Sequence, residues 1–248
     1  YGSTKKYFSG LQSNDRLSSN MEKLLGSKTN VKIRSVKNNT VRYISDEIAT
    51  EEPLEMRLVN PKQTIAITMR TPGADFDLVA GFLYSEGIIH QREDIQHISY
   101  CVDAKLDGAQ RYNIVNVNLK EGLVPNLASL ERHFFTTSAC GVCGKTTIDA
   151  LKIQGCQVMI PDRTVTSEII YSLADRFKSA QKIFAATGGL HAAALFDFQG
   201  QLLKIREDVG RHNALDKLIG SAVLADEMPL TDRLVMVSGR ASFELLQK

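Results

Sequence analysis

Apolar positions recur at two different periods along the chain. Val115, Val117 and Leu119 alternate with Asn116 and Asn118, a period of two that predicts a strand with one buried face. Residues 54–59 and 64–69 read as two more strands, separated by the turn signal Asn60-Pro61. Over residues 75–86 the period lengthens. Leu78, Val79, Phe82 and Leu83 share one helical face there, and Gly87 stands where a helix commonly stops. Residues 123–132 are irregular, and 134–138 predict a short strand leading into a Cys-Gly-Val-Cys-Gly-Lys loop.

The second half alternates helix and strand. Residues 166–184 carry Ile169, Ile170, Leu173, Phe177 and Phe184 on one stripe and predict a single helix, ended by Gly188-Gly189. Residues 191–196 and 202–206 predict strands joined by a turn at Gln199-Gly200. Residues 211–225 predict a helix that turns Leu215, Leu218, Ile219, Ala222 and Val223 inward. The run at 234–238 is the pattern of a strand covered on both faces. Gly239-Arg240-Ala241-Ser242 then leads into a last helix from Phe243, short enough at Lys248 that it is expected to continue. This alternation predicts an α/β layer structure. The expected organisation is a flexible arm over 1–28, a strand-rich region over 29–137 and an α/β region over 138–248, with a boundary near Thr137.

Composition narrows the function classes. The chain has 248 residues, 43% hydrophobic and 23% charged, with a formal net charge of +2. That is enough apolar content for a real core. The charge is too small to predict a nucleic-acid footprint. No apolar run approaches the roughly 20 residues of a membrane span, and no secretory leader pattern opens the sequence. The cytoplasm is the expected compartment.

Four cysteines are present, Cys101, Cys140, Cys143 and Cys156. Cys140 and Cys143 form a C-x-x-C flanked by Gly141, Gly144 and Lys145. Glycines suit a tight exposed loop, expected to be mobile over 136–145. Residues 146–151 begin a helix pattern, and a thiolate near a helix N-terminus and a lysine is favoured by positive potential. The thiolate is the species that attacks sulfur, so the spacing suits sulfur relay or disulfide exchange. Half of a zinc site is the competing reading, with Cys156, His133 or Cys101 completing it. Incidental cysteines are the third.

Three turns at predicted strand ends form a second candidate site. Gly188, Gly189 and His191 open one strand. Gly210, Arg211 and His212 follow the next and start a helix, where backbone N–H groups can meet an anion. Gly239 and Arg240 follow the last. Strand ends of α/β sheets are where ligand crevices form, so the three turns are expected to line one anion pocket, with Arg211 as a planar fork. The competing reading of the middle turn is a helix cap, with Asp208 as acceptor and Arg211 paired to Glu207 or Asp208. His191 is as readily a core histidine.

Five stretches occur in the order of a known family: 81–89 (GFLYSEGII), 140–144 (CGVCG), 187–196 (TGGLHAAALF), 207–220 (EDVGRHNALDKLIG) and 238–248 (SGRASFELLQK). Together they resemble the formate dehydrogenase accessory proteins, FdhD. The resemblance implies a sulfurtransferase. It would take sulfur from a cysteine desulfurase as a persulfide on Cys140, with Cys143 as its partner. It would pass that sulfur to the molybdenum (or tungsten) bis-guanine-dinucleotide cofactor of formate dehydrogenase, held as a bound acceptor and not as a resident metal. The resemblance also implies a cytidine-deaminase-like fold and a homodimer. Deamination is not expected, because His191 follows the C-x-x-C and is itself followed by Ala192-Ala193, with no glutamate in the deaminase position. A cofactor-binding chaperone with a structural zinc at the C-x-x-C is the alternative. The family's basic, glycine-containing C-terminal segment is not found before Lys248.

Overall fold

The computed structural model describes residues 26–127 and 163–248. The expected arm up to residue 25, the strand at 134–138, the boundary near Thr137, the loop carrying Cys140 and Cys143, and the helix start at 146–151 lie outside the described residues. So do His133 and Cys156.

Three sheets are described. The first is a hairpin of β1 (Lys28–Lys37) and β2 (Thr40–Ala49), which the periodicity did not predict. Its two-residue turn, Asn38-Asn39, has positive φ at both positions, a conformation asparagine tolerates. The second has the order β4-β3-β6-β5, from β3 (Glu52–Leu58), β4 (Gln63–Arg70), β5 (Ile95–Tyr100) and β6 (Ile114–Leu119). β3 and β6 pair in parallel, the other neighbours antiparallel. The third is β8-β7-β9, all antiparallel, with β7 (His191–Phe196) between β8 (Leu202–Asp208) and β9 (Leu234–Val237). The predicted strands at 54–59, 64–69, 115–119, 191–196 and 202–206 are all present within a few residues.

Two helices join the second and third sheets. Helix α1 (Asp75–Ser85) and helix α5 (Arg211–Leu224) cross with their backbones in contact. A Cβ on Gly81 would lie 1.8 Å from the Asp216 carbonyl oxygen, and one on Gly220 would lie 1.8 Å from that of Asp77. Only glycine permits that approach. One apolar core runs through the crossing. It takes Met56 and Val115 from the second sheet, Leu78 and Leu83 from α1, Leu218 from α5 and Leu195 from β7. Each such side chain contributes roughly 1.5–3 kcal/mol when fully buried. On the far side of β7, Leu173 and Phe177 of helix α3 (Ser167–Ala180) cover Ala192, Ala194 and Phe196. The alanines of β7 are therefore buried on both faces. Among the described residues no helix is long and apolar enough to cross a membrane. The short helix α2 (Gly108–Tyr112), just before β6, is capped at its own N-terminus by an Asp107–Gln110 capping box.

Three expectations are corrected. The helix predicted over 166–184 is two helices, α3 and α4 (Lys182–Thr187), broken at Gln181. The cause is Glu207 of β8, whose carboxylate accepts from Ile183 N at 3.0 Å and Phe184 N at 2.8 Å and so caps a new N-terminus. Phe184 and Ile170 are exposed, leaving Leu173 and Phe177 as the buried part of the stripe. Helix α5 is not one-sided: every residue from Asn213 to Val223 is buried, because layers lie on both sides. Strand β9 is not covered on both faces. Within the described residues it is an edge strand, and Val235 is 54% exposed.

Candidate functional site

The segment from Glu207 to Lys217 is built mainly as scaffold. Asp208 is fully buried at the end of β8. Its Oδ1 accepts from Gly210 N at 2.9 Å and Asn213 Nδ2 at 3.1 Å, which ties the turn before α5 to a side chain of its first turn. Its Oδ2 accepts from Thr71 N at 3.1 Å and lies 2.6 Å from Lys217 Nζ. Thr71 closes the arrangement, since its carbonyl accepts from Lys217 Nζ at 2.7 Å and its hydroxyl accepts from Val209 N at 3.2 Å. Asn213 adds a bond to the Met69 carbonyl at 2.8 Å. A buried carboxylate survives only when paired and fully hydrogen-bonded, and this one is both. The helix cap expected at Asp208 is not formed: the N-cap of α5 is Gly210 with no side chain capping it, and Asp208 accepts from the Gly210 N–H and the Asn213 side chain instead.

The expected pairing of Arg211 with Glu207 or Asp208 is absent. Both carboxylates are already filled, Glu207 by α4 and Asp208 by Lys217. Arg211 forms no ion pair among the described residues, and its Nε is buried without a hydrogen bond. Its stem runs under Gly239, where an added Cβ would lie 3.0 Å from Arg211 Cδ and 3.6 Å from His191 Nδ1. Ser238 holds the two strands together here. Its Oγ accepts from Ala192 N at 2.9 Å and lies 3.4 Å from His191 Nδ1, while its N–H donates to the Ala192 carbonyl. Arg240 is exposed and forms no ion pair among the described residues.

The structure thus brings His191, Arg211 and Gly239 to one place, with Arg240 next in the chain. Gly188 and Gly189 enter two residues before His191. Gly188 takes φ +68 as the C-cap of α4, and Gly189 packs on Ala49 at the foot of β2. His212 is not part of this group. Its Nε2 is directed to helix α6 (Phe243–Gln247), 3.0 Å from Glu244 Oε2, within ion-pair range though without hydrogen-bond alignment. A depression on the hairpin, lined by Ser35, Arg42 and Ile44 among others, shares no residue with the cluster.

Chemically the cluster is a cationic strand end. It has an unpaired guanidinium whose stem is fixed, a second on the surface, a serine, a histidine and the positive end of a 14-residue helix. Such a set favours an anion, phosphate above all. Among the described residues no group of three or more His, Cys, Asp or Glu side chains could hold a metal ion. Cys101 is a buried free thiol whose N–H donates to the Ile114 carbonyl.

Two features escaped the sequence reading. Asp216 is buried in α5 and bound by Lys248 Nζ at 2.7 and 2.8 Å and by Ser85 Oγ at 3.0 Å. Burial pushes the Asp216 carboxyl up, against the lysine and serine that hold it down. Burial also opposes the Lys248 ammonium, but the carboxylate outweighs it and Lys248 ends above its ordinary range. The two-oxygen contact is that of a charged pair, so the lysine's direction governs. Arg70 and Asp75 form a second buried pair at 2.9 Å. The signal available for Asp216 was a charge inside a helical face that is otherwise apolar.

Comparison with known proteins gives a consistent result. The model of the FdhD/NarQ family matches residues 49–248. The chain is 48% identical over 219 residues to the sulfur carrier protein FdhD of Streptomyces avermitilis, covering 88% of this chain and 77% of that one. It is 41% identical over 219 residues to the protein of that name from Sulfurisphaera tokodaii, covering 88% and 79%. The crystal structure of a protein assigned as a formate dehydrogenase accessory protein, from Desulfotalea psychrophila, has the same fold. Its TM-score is 0.64 at 22% identity, covering 90% of this chain and 79% of that one.

Proposed function

The chain belongs to the FdhD/NarQ family, and from that premise we propose that it is a sulfur carrier acting for formate dehydrogenase, with Cys140 as the carrying residue. The observation that supports this best is the family match over 49–248, which spans the C-x-x-C. The Cys140 thiolate attacks the outer sulfur of a persulfide on a cysteine desulfurase. A new S–S bond forms on Cys140 and the donor's thiolate leaves, so sulfane sulfur moves with no net oxidation. Attack by the acceptor on the outer sulfur returns Cys140 as thiolate, with Cys143 as its neighbouring thiol. Such chemistry belongs in the cytoplasm, where thiols are kept reduced.

The acceptor is the molybdenum or tungsten bis-guanine-dinucleotide cofactor, held as a substrate. Arg211 and Arg240 meet its phosphates, and the Gly188-Gly189 and Gly239 turns let the backbone approach. The stack of α5, the sheet β8-β7-β9 and α3 is compatible with the cytidine-deaminase-like layering that the family resemblance implies. The test is the intact mass of the protein after incubation with a cysteine desulfurase and cysteine. Wild type should gain removable sulfur, and Cys140→Ala should not. A Cys140→Ala protein that still gains sulfur and still activates a formate dehydrogenase would overturn the assignment. Stoichiometric zinc lost in Cys143→Ser would favour a cofactor chaperone with a structural metal.

A further inference from the structure

The Gly239–Arg240 turn over Arg211 is held from two sides. Before it, Ser238 bonds both the N–H and the carbonyl of Ala192 in β7. After it comes α6, whose N-cap Ser242 accepts from Leu245 N. Leu245 is buried in the core that α1 and α5 share. A helix of five residues is not stable by itself, so the position of α6 is set by what it docks on.

Two charge pairs dock it on α5. His212 Nε2 lies 3.0 Å from Glu244 Oε2. Further along both segments, Lys248 Nζ meets Asp216 Oδ1 and Oδ2 at 2.7 and 2.8 Å. His212 and Asp216 are one helical turn apart, and so are Glu244 and Lys248. The two segments therefore run side by side in the same direction. Their signs alternate. On α5 the basic side chain comes first and the carboxylate second, and on α6 the order is reversed. A slip of one turn would set Glu244 on Asp216, or Lys248 on a charged His212, like charges in both cases.

The two pairs differ in permanence. The Lys248 and Asp216 side chains are 6% and 4% exposed, and Ser85 Oγ adds a bond to the carboxylate. The His212 and Glu244 side chains are 22% and 23% exposed, and they attract each other as charges only when the imidazole carries a second proton. The charged groups around His212 are Glu244 and Lys248 from α6, Asp216 from α5 and Glu86 just beyond α1. With a neutral His212 this set holds three carboxylates against one cation, and a protonated His212 supplies a second. Arg211, next in the chain, turns away to Gly239. The pair nearer the Gly239–Arg240 turn is thus the one that histidine chemistry can switch.

We infer that His212 and Glu244 are positioning residues for the strand-end site: acting through α6, they hold the Gly239–Arg240 turn against the Arg211 stem, firmly while His212 is charged and loosely when it is neutral. The inference rests on the reading that this cluster receives phosphate. Hydrogen exchange of residues 239–248, followed by mass spectrometry on the full chain, tests the hold itself. Glu244→Gln should speed exchange there about threefold at about pH 5.5, as expected for one lost, partly exposed ion pair, and should change it little at about pH 8, where a histidine is neutral. His212→Gln should act alike, and the double variant should exchange no faster than either single variant. Calorimetry with inorganic pyrophosphate tests the consequence. At about pH 5.5, Glu244→Gln should weaken binding about threefold, and Arg211→Ala about tenfold or more. Each variant is compared with wild type at the same pH, with circular dichroism to check folding. Exchange that Glu244→Gln leaves unchanged, or raises equally at both pH values, would overturn the inference. So would faster exchange with full pyrophosphate affinity, provided that Arg211→Ala binds weakly. If Arg211→Ala binds as wild type does, the phosphate reading fails instead, and exchange alone decides whether the pair holds the turn.

Discussion

Helix α5 has two regions that share a sequence motif and little else. From Asn213 to Val223 it is buried on every side, its charges paired and its backbone against α1. At Arg211 it is half-exposed, and the guanidinium has no partner among the described residues. The contrast separates two uses of charge. Asp208 and Lys217 spend their charge on each other and on Thr71, so they hold the strand end in place. Arg211 is held by packing against Gly239, and its charge has no partner among the described residues. A run of charged residues before a helix is thus only in part scaffold, and the difference lies in which carboxylates are already occupied.

The largest effect expected from breaking this contrast is in the buried region. Lys217→Met leaves Asp208 as an uncompensated buried carboxylate and should cost about 3–5 kcal/mol of stability, read by urea unfolding. Adding Asp208→Asn should recover part of the loss. No recovery would mean that the lysine acts through packing.

A smaller loss is expected at the helix crossing. Alanine is the better helix former by roughly 1 kcal/mol, so Gly220→Ala would stabilise an exposed helix. Here the added Cβ meets backbone, which no rotamer can relieve, and overpacking of about 1–3 kcal/mol should win. A raised melting temperature would show that the helices separate easily.

The smallest stability effect, and the sharpest functional one, is at the helix start. Arg211→Ala should change stability by no more than about 0.5 kcal/mol. It should weaken guanine-nucleotide binding by about tenfold or more, measured by calorimetry, since a charge-assisted phosphate contact contributes roughly 1.5–3 kcal/mol. A variant that melts early yet binds normally would move Arg211 into the scaffold.

The elements defined by local pattern were legible in the sequence. The strand at Val115, Val117 and Leu119, the helix at Leu78 and Leu83, and the strand His191–Phe196 all need only their own period. Elements decided by a distant partner were not. The break at Gln181 is made by Glu207, and no local signal marks it. The full burial of α5 depends on Gly81 and Gly220 meeting, and a helical wheel of α5 shows only its own residues. The hairpin was missed because it lacks a buried face: Val31 and Ile33 alternate with polar residues, but most of the facing side chains are exposed. For the site, the strand-end turns could be found from glycine and arginine positions. That His212 turns to Glu244 instead could not, because two consecutive helical residues diverge only once the helix is placed.

Thr71 has a consequence for the order of events during synthesis. Its N–H, carbonyl and hydroxyl all bind residues 137 or more positions later. At translation speeds of roughly 5–20 residues per second, those partners emerge roughly seven to thirty seconds after it. Through that interval Leu78, Val79 and Leu83 of α1 lack the helix that buries them. The nascent N-terminal half is therefore an apolar surface waiting for its cover, and the time it waits is set by the length of chain between Thr71 and Asp208.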